Sequence, residues 1–142
     1  MRSRVCFGLL ALACALGAAA GEVEIRVTGI GAPDGTLLVA VYDSADHWLS
    51  TRKDKPPFRD ATYVVNGERE AVIVVNELPP GVYAVSVFHD LNANQELDTN
   101  FIGFPREPFG FSAPMGKFGP PGFEEASFHL GEGVHRLLIE LN

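Results

Sequence analysis

Beyond residue 20 no stretch of the chain keeps a helical period, while short apolar runs rich in strand formers are cut repeatedly by Gly, Pro, Asn and Asp. That punctuation limits the fold more than any other feature, because apolar residues at a period of two bury one face of a strand and supply no amphipathic helix. Val23, Ile25 and Val27 alternate with Glu24, Arg26 and Thr28. Residues 35–42 form a nearly unbroken apolar run suited to a central strand. Residues 61–65 and 71–75 flank Asn66-Gly67, the dipeptide best suited to the positive φ of a tight turn, and are expected to form a hairpin. Leu78-Pro79-Pro80-Gly81 breaks the chain before residues 82–88, another buried strand. Residues 126–130 and 135–141 bracket a turn at Gly131-Glu132-Gly133, with Leu137, Ile139 and Leu141 on one face. About seven strands of this kind predict an all-β protein, a single antiparallel β-sandwich. One helical turn is expected over 44–49, with Ser44 as its cap and Trp48 against the sheet.

Residues 1–20 read as a secretory signal peptide, and residues 21–142 as the sandwich domain. Arg2 and Arg4 form the basic start, and residues 5–16 an apolar core too short to span a bilayer. Ala18-Ala19-Ala20 offers small residues, so cleavage is expected before Gly21. Lipidation at Cys14, after Ala11-Leu12-Ala13, is the alternative and would tether the protein to a membrane. The protein is therefore expected to be periplasmic or secreted. Both cysteines, Cys6 and Cys14, belong to the leader, so the remaining 122 residues have no disulfide and must rely on packing or on a metal. All 18 acidic residues stay, while Arg2 and Arg4 leave nine of the 11 basic ones, for a net charge of −9. Such a balance argues against nucleic acid and against anionic membrane surfaces as partners, and it suits cations.

The segment from Asp90 to Asp98 carries the most suggestive chemistry. Side-chain oxygens fall at relative positions 1, 3, 5 and 9, the register in which a loop curls around calcium. The ligands would be Asp90, Asn92, Asn94, the main-chain carbonyl of Glu96, and Asp98, with Leu97 pinning the loop to the core. Position 6 is Gln95 rather than glycine, and position 12 is Phe101 rather than a bidentate glutamate. Two carboxylates imply weak binding, with Kd of roughly 10⁻⁴–10⁻³ M. The competing reading is a self-bonded turn, since Asn and Asp are ordinary turn residues. His89 is read as a structural hydrogen-bonding residue, because imidazole suits softer metals.

Residues 101–123 hold six phenylalanines, five prolines and five glycines. A long loop of this kind is functional or packed by its own side chains. Phe104, Arg106, Glu107, Phe109 and Phe111 are the candidate partner contacts, with Phe118 and Phe123 as further rings. About half of these rings are expected to cap the sandwich as a lid. Residues 50–60 hold four of the nine basic residues and read as a solvated mixed-charge loop.

No catalytic motif stands out. There is no H-E-x-x-H, no G-x-S-x-G, and no thiol beyond the leader. Ser86, His89 and Asp90 are close in sequence, but on a strand Ser86 and Asp90 face one side and His89 the other. A carboxylate pair such as Asp98 and Glu107 leaves a hydrolase of an envelope or extracellular polymer as the alternative function.

The run His89-Asp90, Asn92, Asn94, Leu97-Asp98-Thr99-Asn100, Gly103-Phe104-Pro105, Glu107 and Gly110-Phe111-Ser112 resembles the DUF2141 family of exported bacterial proteins. The upstream Leu78-Pro79-Pro80-Gly81-Val82-Tyr83 fits the same pattern, so the resemblance spans nearly the whole chain beyond the leader. It implies export from a Gram-negative-type cell and a compact β domain, and no particular activity. The Pro-Pro-Gly-x-Tyr turn is similar to that of transthyretin-like and surface-protein modules, so an immunoglobulin-like or transthyretin-like sandwich is expected. The function that follows is that of a non-enzymatic binding or structural module of the cell envelope. It would carry a weak calcium-type loop and meet an unknown envelope or extracellular partner. Intact-mass analysis of the exported protein should give Gly21 as the first residue; a chain beginning at Met1 or at a lipidated Cys14 would contradict the cleavage site.

Overall fold

The computed structural model describes residues 17–142, so the basic start and apolar core of the expected leader, Cys6 and Cys14 lie outside the described residues. Eight strands and one helical turn follow in order. They are β1 (Gly21–Thr28), β2 (Thr36–Tyr42), β3 (Arg59–Val64), β4 (Ala71–Leu78), β5 (Gly81–Asp90), β6 (Phe109–Phe111), α1 (Phe123–Ala126), β7 (Phe128–Leu130) and β8 (Gly133–Glu140). Among the described residues every strand and every core residue falls within 21–142. One sheet has the order β4-β1-β8 and the other β3-β2-β5-β6, with β7 paired to the start of β5. The all-β sandwich expected from the alternating pattern is the observed architecture.

The period-two pattern becomes burial directly. Val23, Ile25 and Val27 on β1 and Ala71, Ile73 and Val75 on β4 face inward, and all are nearly inaccessible to solvent. Leu37, Val39 and Val41 on β2 oppose them, with Val85 and Val87 on β5 completing the layer. A fully buried Val, Leu or Ile side chain stabilises by about 1.5–3 kcal/mol. A domain without disulfides draws its stability from this core.

Two pairings differ from the sequence expectation. Residues 61–65 and 71–75 do not form a hairpin: β3 pairs with β2 and β4 with β1, so the chain changes sheets at Asn66-Gly67. Gly67 does take a positive φ of 88°, and its N–H reaches Pro33 O at 2.8 Å across the corner. A turn dipeptide reports backbone conformation, and a sandwich corner needs that conformation as much as a hairpin does. The second difference is that β8 runs parallel to β1, from Gly21 opposite Gly133 to Thr28 opposite Glu140. A parallel pair needs a long crossover, and here the connection is nearly the whole domain.

Local devices hold the corners. Where β4 gives way to β5, the buried Tyr83 hydroxyl donates to Pro79 O at 2.6 Å. The segment at 44–49 closes a single turn, Trp48 N–H to Ser44 O at 3.2 Å, that does not continue as a helix because Leu49 has a φ of 52°, outside the helical range. Trp48 packs edge-on against Tyr42 and against Phe111 and Phe123, and its indole N–H donates to Pro121 O at 2.9 Å. The short helix lies instead at Phe123–Ala126, where Glu125 accepts the Gly122 N–H at 2.9 Å.

The long Phe-rich segment contains β6, which pairs with β5 from Phe88 opposite Phe109 to Ser86 opposite Phe111. Gly110 sits at its centre against the other sheet, and a Cβ there would come within 2.6 Å of Ile139 Cγ2 and 2.7 Å of Glu140 O. The Asn142 N–H bonds to Phe109 O at 3.0 Å, so β6 joins the two sheets along this side. Gly110→Ala should destabilise the domain by about 1–3 kcal/mol in urea unfolding; an unchanged midpoint would show that β6 does not close the sandwich.

Candidate functional site

The site grows from the end of β5. His89 and Asp90 are both buried, with relative exposures of 0% and 2%. His89 Nε2 donates to Asp34 O at 2.7 Å, which gives this ring a structural task. Its main-chain N–H bonds to Pro108 O at 2.8 Å, extending the β5–β6 register by one step. That extension brings Glu107 to the point where the Asp/Asn loop leaves the sheet.

Glu107 is buried, and both of its oxygens accept main-chain N–H groups. Oε1 takes Leu91 at 2.8 Å and Oε2 takes Asp98 at 3.1 Å. One carboxylate thus closes the two ends of the loop onto the sheet. Such charge-assisted bonds are stronger than neutral ones, and they satisfy donors that would otherwise be costly to bury.

Within the loop, Asp90 Oδ2 accepts the Gln95 N–H at 2.9 Å, Asn92 Oδ1 accepts Asn94 N–H at 3.2 Å, and Asn94 Oδ1 accepts Glu96 N–H at 2.9 Å. Asn92 and Asn94 both donate their side-chain amides to the Asp98 carboxylate, the latter at 3.1 Å. These are the bonds of the self-bonded turn, and Gln95 adopts the positive φ of 62° that glycine would take more cheaply. Ala93 has a φ of 59°. Asp90 Oδ1 is buried without any partner. Leu97 is 36% exposed and lies outside the core cluster, so Glu107, not Leu97, ties the loop down.

The donors here are all hard oxygens: the free Asp90 Oδ1, the second lone pairs of the two Asn oxygens, the Asp98 carboxylate and the main chain at Glu96. Among the described residues no group of three His, Cys, Asp or Glu side chains could hold a metal ion. A cation at this loop would therefore depend on the two Asn oxygens as well as the carboxylates.

Past Asp98 the chain forms a narrow hairpin. Arg106 N–H bonds to Asp98 O at 2.7 Å, Thr99 bridges Pro105, and Asn100 N–H reaches Phe104 O at 2.8 Å. Asn100 Oδ1 also accepts the N–H groups of Ile102 and Phe104 at 3.1 and 2.9 Å, and Gly103 supplies a φ of 83°. This pinned turn displays Phe101 at 100% exposure, Ile102 at 74% and Phe104 at 62%.

The sequence candidates therefore separate. Phe104 and Arg106 are at the surface, while Glu107 and Phe109 are buried and Phe111 packs half-buried on Trp48. Phe123 joins the Trp48 cluster, and Phe118 is exposed. Phe101 and Ile102 are the exposed residues that sequence reasoning missed, although Asn100 and Gly103 three residues apart signal the tight turn that presents them.

The residues considered for catalysis have the following partners. Ser86 bonds the Tyr42 hydroxyl, whose pKa burial pushes above the usual tyrosine range despite that bond. Asp98 and Glu107 are neighbours; Glu107 holds two main-chain N–H groups and Asp98 accepts two side-chain amides. The basic stretch at 50–60 pairs locally, Arg52 with Asp54 at 2.7 Å and Lys55 with Asp46 at 2.5 Å. Such exposed pairs contribute little.

Replacing one Glu107 oxygen by an amide would turn a donor toward a donor. Glu107→Gln should cost about 1–3 kcal/mol in chemical unfolding, and a cost below about 0.5 kcal/mol would mean that the clamp is not made.

Comparison with curated proteins and with solved structures returns no match. Residues 25–137, which include the whole Asp/Asn loop and the pinned tip, match the family model described as an uncharacterized protein conserved in bacteria, and the chain belongs to that family, DUF2141.

Proposed function

We propose that this protein is an exported, non-catalytic binding module of the bacterial cell envelope, in which the loop at 90–98 takes calcium weakly and carries a contact tip at 101–104. The observation behind the binding reading is the tip itself. Phe101 is wholly exposed on a turn whose main chain is fixed by Asn100, whereas a self-packed lid would bury that ring. A turn ordered before it meets a partner loses little entropy on binding. Export rests on the leader pattern of residues 1–20.

The calcium reading is supported by Asp90 Oδ1, a buried carboxyl oxygen with no hydrogen-bond donor, at the head of a loop of hard-oxygen side chains. A buried, unpaired carboxylate oxygen is costly, and a cation would offset that cost. With Asp98 tied to Glu107 and to Arg106, an ion at the loop would stiffen the root of the tip.

For a site of about 10⁻⁴–10⁻³ M, roughly 10 mM calcium should stabilise the domain by about 1.4–2.7 kcal/mol. Thermal unfolding with calcium and with chelator reads this directly. Asp90→Asn and Asp98→Asn should each reduce the gain. No rise in melting temperature, or a rise that both variants keep, would contradict a calcium site at this loop.

A further inference from the structure

We infer that the side-chain amides of Asn92 and Asn94 compete with calcium for the Asp98 carboxylate, and that these two residues set how tightly the loop takes the ion. The inference rests on the calcium reading of this loop and deepens it by naming what limits the affinity.

Each of the two asparagines divides its amide between two tasks. Asn92 Oδ1 accepts the Asn94 N–H at 3.2 Å and Asn94 Oδ1 accepts the Glu96 N–H at 2.9 Å, so each oxygen is fixed on the main chain two residues on. With its oxygen held, each side chain turns its nitrogen to Asp98. Asn92 Nδ2 donates to Oδ2, and Asn94 Nδ2 donates to Oδ1 at 3.1 Å. Every oxygen of the Asp98 carboxylate thus carries an amide donor, which does in part what a cation would do with its full charge. Nor is Asp98 free to shift its main chain. Its N–H is held by Glu107 Oε2 at 3.1 Å, and its carbonyl accepts the Arg106 N–H at 2.7 Å. A cation reaching this carboxylate is opposed by the positive ends of two amide dipoles.

The carboxyl at the other end of the loop is the counterpart. Asp90 is 2% exposed, its Oδ2 accepts the Gln95 N–H at 2.9 Å, and its Oδ1 has no partner. One acidic group of the loop therefore lacks a donor and the other has two, so calcium gains most at Asp90 and least at Asp98. Aspartate at position 92 or 94 would preserve the turn, because a carboxylate oxygen accepts the same N–H. It would not donate to Asp98, and it would set a second negative charge beside that carboxylate. The charge is unfavourable without an ion and favourable with one.

Thermal unfolding of the protein in chelator and across a calcium series tests the competition in Asn92→Asp and Asn94→Asp. Each variant should melt a few degrees below the parent in chelator. Each should bind calcium about tenfold more tightly, with Kd fitted to the rise in melting temperature. Loss of folding in chelator that calcium restores would be the same result in stronger form. A variant that folds in neither buffer would overturn the inference, since the turn should survive the change. So would a lower melting temperature in chelator with no gain in affinity, or two variants that match a calcium-responsive parent throughout; both would leave the calcium reading standing. Calcium binding by the variants alone would support the competition and overturn calcium uptake by the natural loop. No response in the parent or in either variant would overturn the calcium reading and the inference with it.

Discussion

A buried carboxylate, Glu107, accepts the N–H groups of Leu91 and Asp98, and the loop and tip beyond β5 depend on that bridge. Leu91 is the first residue after β5 and Asp98 the last of the Asp/Asn loop, so one side chain fixes both where the loop leaves the sheet and where it returns. From Asp98 the geometry passes on to Arg106 and into the hairpin that displays Phe101. Glu107 is itself placed by the strand pairing that continues from β6 to the His89–Pro108 bond. The order of dependence runs from core to strand, from strand to carboxylate, and from carboxylate to loop and tip.

The two sheets supply the rigidity behind this arrangement without covalent help. Their stability lies in the buried rows of Val, Ile and Leu, in the Tyr83 bond at the β4–β5 corner, and in the aromatic cluster around Trp48. Gly110 lets β6 approach β8 closely enough to close one side. Residues 109 and 111 therefore belong to the scaffold, and residues 101–104 belong to the surface that the scaffold presents. A rigid base with a preordered apolar tip binds at low entropic cost, which links the packing to the proposed function.

Much of the fold was legible in the sequence because it is written locally. The alternation in residues 23–27, the apolar run at 35–42 and the Pro-Pro-Gly break at 79–81 each specify a strand or its end through neighbouring residues. The run of Asn and Asp likewise marked a loop that its own side chains close. Which strands pair was not legible: Asn66-Gly67 encodes a backbone angle and not a partner, and nothing near residues 133–140 shows that β8 runs parallel to β1. The role of Glu107 was hidden for the same reason. Its acceptor task is defined by Leu91 and Asp98, which are distant in sequence and become neighbours only once β6 pairs with β5. Counting phenylalanines could not separate Phe109, buried on a strand, from Phe101, exposed on a turn.

The central claim is that one carboxylate anchors the loop. Amide hydrogen exchange followed by NMR tests it at the two donors. The Leu91 and Asp98 N–H groups should be protected like the amides of β5, while the main-chain N–H groups of Asn92 and Ala93, in the same exposed loop, exchange rapidly. Rapid exchange at both Leu91 and Asp98 would contradict the bridge, and with it the account of how the tip is held.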